Sequence, residues 1–190
     1  MDNKQSFLDA AASGEIESIK KMLFDGADIN AVDSEGKTAL IWASRKGHMD
    51  VVRMLVENAA DVNIRTVDLW SALMYACRNG HSEIVKFLLG NGAETNIKTA
   101  DCWTPLIVAS STDHEDIAGM LIDKGADINA QDIFGFTPLI WAVRNGNKNM
   151  VIFLLENGAD LSLTDRTGKT AKLLADMLGH KELSDILENK

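Results

Sequence analysis

Apolar positions along this chain follow two helical patterns that alternate. The longer pattern places Val51, Val52 and Leu55 together, then Ile84, Val85, Leu88 and Leu89, then Ile117, Leu121 and Ile122, then Val151, Ile152, Leu154 and Leu155. That spacing lines one side of an amphipathic helix. Before each comes a shorter run, and a last one follows: KTALIWA (37–43), WSALMYA (70–76), WTPLIVA (103–109), FTPLIWA (136–142) and KTAKLLA (169–175). Each short run predicts a helix that starts on a hydroxyl cap, at Thr38, Ser71, Thr104, Thr137 or Thr170. Pro105 and Pro138 stand at the first helical position, where no backbone N–H is needed. Gly47, Gly80, Gly146 and Gly179 then stop the short helix. The longer helix ends in DGADIN (25–30), NAADVN (58–63), NGAETN (91–96), KGADIN (124–129) or NGADLS (157–162). A left-handed C-cap suits the glycine slot of these turns, so Ala59 in that slot predicts a strained residue.

Every feature returns after 33 residues, with no insertion. Two unrelated domains joined by a linker are thereby excluded. A single helix pair cannot bury its apolar side, so the pairs must stack. The G-x-T-P-L, G-H and G-A-D-x-N segments resemble the ankyrin repeat over essentially the whole chain. The units divide as 1–32, 33–65, 66–98, 99–131, 132–164 and 165–190, the first and last being caps of a single domain, 1–190. The resemblance implies a mainly α solenoid of β-hairpin and α-hairpin units, curved around a concave groove. It also implies a non-enzymatic module that binds another protein and serves as an adaptor or scaffold.

Composition narrows the partner. Apolar residues make up 46% of the 190 and charged residues 25%, as in a folded globular chain. The net charge of −9 argues against nucleic acid and anionic membrane as partners. Two cysteines, Cys77 and Cys102, form no disulfide framework and point to a reducing, cytoplasmic setting. The N-terminal residues do not resemble a secretory signal, and no apolar run is long enough to span a bilayer.

The candidates for chemistry recur with the repeat. His48, His81, His114 and His180 share one slot. Stacked units would hold them roughly 10 Å apart, too far to share a metal. They read as turn-bridging residues, so no metal and no cofactor is expected. The Asp28/Asn30, Asp61/Asn63, Glu94/Asn96 and Asp127/Asn129 pairs sit in turns, where side chain-to-backbone bonding explains them better than acid–base chemistry or calcium. No nucleophile motif or phosphate loop is present, and no enzyme is expected.

What varies within the repeat is more informative. In the short helix, Leu40, Leu73, Leu106 and Leu139 share a face with Ala43, Ala76, Ala109 and Ala142, the core side. Roughly opposite lie Trp42, Tyr75, Val108 and Trp141, followed three residues later by Arg45, Arg78, Ser111 and Arg144. Trp70, Trp103 and Phe136 occupy a second slot in the preceding loops, or fingers, and Phe134 stands at a finger tip. The TVDLW and TADCW fingers carry Leu69 and Cys102 where the ankyrin family has glycine. In that family, finger residues and this helix face are where specificity is usually placed. Trp42, Tyr75 and Trp141 fit either contact or packing along the stack; the finger aromatics have less interior to fill, and Trp and Arg are enriched in binding hot spots. The expected partner is a protein offering apolar anchors and some negative charge, met by a monomer. The alternatives are a small-molecule sensor in the Trp/Arg groove, and self-association through Met177 and Leu178.

Overall fold

The computed structural model describes residues 3–190, and the described residues form twelve helices in two compact units divided between Glu94 and Thr95. The first unit holds α1 (Asn3–Ser13), α2 (Ile16–Phe24), α3 (Ala39–Lys46), α4 (Met49–Glu57), α5 (Ala72–Arg78) and α6 (Ser82–Gly90). The second holds α7 (Pro105–Ser111), α8 (Glu115–Asp123), α9 (Pro138–Arg144), α10 (Lys148–Glu156), α11 (Ala171–Leu178) and α12 (Lys181–Glu188). Within each unit three helix pairs stack. The short helices pack side by side, α1 on α3 on α5 and α7 on α9 on α11. Among the longer helices, α4 meets α6, and α8, α10 and α12 follow one another.

Local chemistry sets the helix ends. The hydroxyls of Thr38, Ser71, Thr104, Thr137 and Thr170 accept from the backbone N–H three residues on, satisfying a donor that the first turn leaves open. Gly47 and Gly179 close α3 and α11 in the left-handed region, at φ 81° and 75°. Asp113 takes the same slot after α7 at φ 62°, a position the sequence pattern does not flag. Ala59 has φ 67°, the conformation expected of it. The leucine and alanine slots of the short helices are buried, Leu106 completely.

The expected β-hairpins are reduced to a minimum. No strand forms among the described residues; two isolated bridges, Arg65 to Ser71 and Thr164 to Thr170, are all that remains of the ladder. Side chains join one repeat to the next instead. Asn63 accepts from the Glu94 N–H and donates to the Gly92 carbonyl, and Asn96 does the same for Asp127 and Gly125. Asn30 and Asn129 accept from Asp61 and Asp160. The aspartates act locally, Asp28, Asp61 and Asp127 each capping the N–H two residues on. Histidines brace the other side: His48 Nε2 bonds the Ala12 carbonyl at 3.0 Å and His81 Nε2 the Arg45 carbonyl at 3.3 Å. Their rings lie against Gly14 and Gly47, leaving no room for a Cβ.

Candidate interaction surface

Five fingers precede the short helices, and each closes with the same backbone bond, from residue 33, 66, 99, 132 or 165 to the carbonyl four residues on. Three of them are built on aspartate and glycine, two on threonine and a side chain-bearing residue. In the first kind, Asp33 Oδ1 accepts from Glu35 N–H and Lys37 N–H, each at 2.9 Å. Asp132 and Asp165 repeat this pair of bonds. Gly36 and Gly135 follow at φ 78° and 79°, and a Cβ on either would press on the backbone of the next finger. In the second kind, the Thr66 and Thr99 hydroxyls accept only from the N–H of Trp70 and Trp103. Leu69 and Cys102 then occupy the left-handed region at φ 63° and 60°.

The tryptophans divide along the same line. Trp42 Nε1 donates to Asp33 Oδ2 and Trp141 Nε1 to Asp132 Oδ2, both at 3.0 Å. Each aspartate thus fastens a finger to the helix behind it. Burial alone would raise the Asp33 carboxyl, but the bonds from Lys37 N–H, Trp42 and Glu35 N–H, with the Lys37 charge, outweigh it and hold the group below the usual carboxylate range. Trp70 and Trp103 have no such anchor: among the described residues neither indole N–H meets an acceptor.

In the first unit the aromatic rings alternate with cations. Lys37 Nζ lies 4.8 Å from the Trp42 ring and is paired with Glu35. The Arg45 guanidinium lies between Trp42 and Tyr75, at 5.3 and 5.7 Å. Trp70 packs on Tyr75 at 5.2 Å, and Arg78 covers Trp70 at 5.6 Å. In the second unit Trp141 is the hub. Trp103 lies 4.8 Å from it, and Phe136 meets it edge-on at 5.4 Å. Arg144 covers both Phe136 and Trp141. Phe134 touches Phe136 and is 56% exposed.

Each finger aromatic, Trp70, Trp103 and Phe136, is half-buried, and Arg45, Arg78 and Arg144 are exposed. Packing and accessibility therefore coexist in the same side chains. Asp33, Asp132 and Lys37 complete the arrangement, although the sequence reading passed over the two aspartates. A signal was present: aspartate stands nine residues before both Trp42 and Trp141, and threonine stands nine before Tyr75 and Val108.

The other candidates for chemistry are placed apart. Cys77 is buried among the core residues, and burial drives its thiol far above the ordinary range, which disfavours the reactive thiolate. Among the described residues no group of three or more His, Cys, Asp or Glu is placed to hold a metal ion. No described helix is long and apolar enough to cross a membrane.

A family model described as ankyrin repeats, in three copies, matches residues 7–99, 91–165 and 129–188. No curated protein matches the chain closely enough to name a relative.

Proposed function

Since this chain belongs to the ankyrin-repeat family, whose members are generally protein–protein interaction modules, we propose that it is a non-enzymatic adaptor that grips a partner protein through its finger and short-helix residues. The contact residues are Trp70, Tyr75, Arg45, Arg78 and Trp42 in the first unit, and Trp103, Phe134, Phe136, Trp141 and Arg144 in the second. One observation carries the reading. Arg45, Arg78 and Arg144 are exposed and stacked on half-buried rings, and among the described residues none is paired with a carboxylate. Ring-stacked arginines beside large aromatics have the makeup of a binding hot spot. The small-molecule alternative has less support: the cleft lined by Glu35, Lys37, Thr66 and Tyr75 has a volume of about 190 Å³, below the roughly 300 Å³ at which ligand pockets begin.

The test is a quantitative pull-down with the wild-type chain, a Trp70→Ala/Trp103→Ala double variant and a Lys86→Ala variant on the outer side of α6. Proteins retained by wild type and Lys86→Ala but lost from the double variant are the expected result. Capture that the double variant leaves unchanged would remove this face from the function.

A further inference from the structure

We infer that the first unit binds an acidic linear segment of its partner, with Asp or Glu carboxylates on Arg45 and Arg78 and an apolar side chain on Trp70 and Tyr75. This rests on the interaction reading above and names its chemistry.

Aromatic rings, not carboxylates, hold the two guanidiniums. Each is stacked over aromatic rings, Arg45 on Trp42 and Tyr75, Arg78 on Trp70. A ring satisfies the charge of a guanidinium without taking up its N–H groups, and both side chains are exposed, so those donors remain available. They match a carboxylate in a two-bond fork. Inside the unit no carboxylate takes that place. Asp33 is engaged by Trp42 and two backbone N–H groups, and Glu35 is paired with Lys37. Lys20, Lys37, Lys148 and Lys172 all have acidic partners, whereas neither Arg45 nor Arg78 does.

The Trp70 indole N–H adds a further unoccupied donor beside Arg78. The surface therefore offers unpaired donors and apolar ring area; of its carboxylates Asp33 and Glu35 are engaged, and Asp68 on the second finger stands beside Tyr75 in the same cleft. An aromatic cage for an ammonium group is disfavoured between Trp42 and Tyr75, because the Arg45 cation already lies against both rings. A nucleic acid is disfavoured by the net charge of −9, which repels a long polyanion while a short segment meets only the local cations.

The experiment uses the full chain and fluorescence polarisation. The probe is a labelled glutamate-rich peptide with a central leucine; its counterpart carries glutamine for every glutamate. The glutamate peptide should bind about tenfold more tightly than the glutamine peptide, the scale of a modest hot spot. The Arg45→Gln/Arg78→Gln variant, checked by its unchanged melting curve, should lose that preference. Arg53→Gln should keep it: Arg53 stacks on Phe87 at 5.0 Å in the same manner, but on the outer helices α4 and α6. Absence of binding by the glutamate peptide, equal binding of both peptides, or a preference that survives the double arginine variant would each overturn the inference. In those cases, loss of partner capture by Trp70→Ala would still leave the interaction reading standing. Unchanged capture by Trp70→Ala would remove that reading as well.

Discussion

The fingers at 33–37 and 66–70 belong to the same unit and close with the same backbone bond, yet they treat their aromatic neighbours in opposite ways. In the first, one aspartate organises two backbone N–H groups and the Trp42 indole. In the second, threonine holds a single N–H, and the Trp70 indole is left without an acceptor. The second unit repeats the pair, with 132–136 of the first kind and 99–103 of the second. Trp42 and Trp141, in the short-helix slot, are thus each fastened to the aspartate of the preceding finger, whereas Trp70 and Trp103, in the finger slot, have no such bond.

The comparison can be broken most directly at Asp33. Asp33→Ala orphans three donors and should lower stability by about 2–3 kcal/mol, against about 1 for Thr66→Ala, which orphans one. Urea denaturation measures both, and equal losses would show that the carboxylate is no fastening.

The glycine slot gives the next largest effect. Gly36→Ala combines φ 78° with a Cβ 3.0 Å from the Val67 nitrogen, and should be destabilising by about 1–2 kcal/mol. Leu69→Gly and Ala59→Gly should go the other way by about 1 kcal/mol, because both residues sit at positive φ. A melting temperature that falls for either would mean that the side chain contributes more than the backbone strain removes.

A graft sharpens the point. Thr66→Asp with Tyr75→Trp rebuilds the fastening in the second finger, and the pair should couple by about 0.5–1 kcal/mol in a double-mutant cycle. Additive effects would mean that the indole–carboxylate bond needs more than these two residues.

The smallest effect is a titration. Because the Asp33 pKa is lowered, its contribution to stability is fully present above the ordinary aspartate range and is lost as pH falls through the lowered value. The Trp42 indole N–H resonance should therefore shift only at pH below that range, and the Trp70 resonance should not follow it. A Trp42 shift within the ordinary range would show a carboxylate that is not held down.

Much of this fold was legible because its determinants are local. The caps at Thr38 and Ser71, the strained Ala59 and the core slots follow from spacing and backbone preference alone. The proposed contact residues stand out by type, since Trp70, Trp103, Phe136 and the three arginines occupy variable slots. What spacing could not show was which hydrogen bonds close. Asn63 was read as a turn residue, although its side chain reaches 29 and 31 residues ahead, into the next repeat. Trp42 and Trp141 fit packing or contact equally well, and spacing did not show that Asp33 and Asp132 bond their indoles. Asp113 kept the turn without the glycine that marks it elsewhere.

That reach of the asparagines bears on how such a chain can change in length. Asn63 and Asn96 each touch a carbonyl 29 residues on and an N–H 31 residues on. Adding or deleting one residue within a helix between them and their targets would shift both groups and turn the rest of that helix by about 100° relative to the core. Adding 33 residues at once would offend neither, because the newcomer brings its own asparagine and its own targets. Whole-repeat changes in length therefore preserve these bonds, whereas one-residue changes at the junctions break them, so the length this chain tolerates is quantised in units of 33 residues.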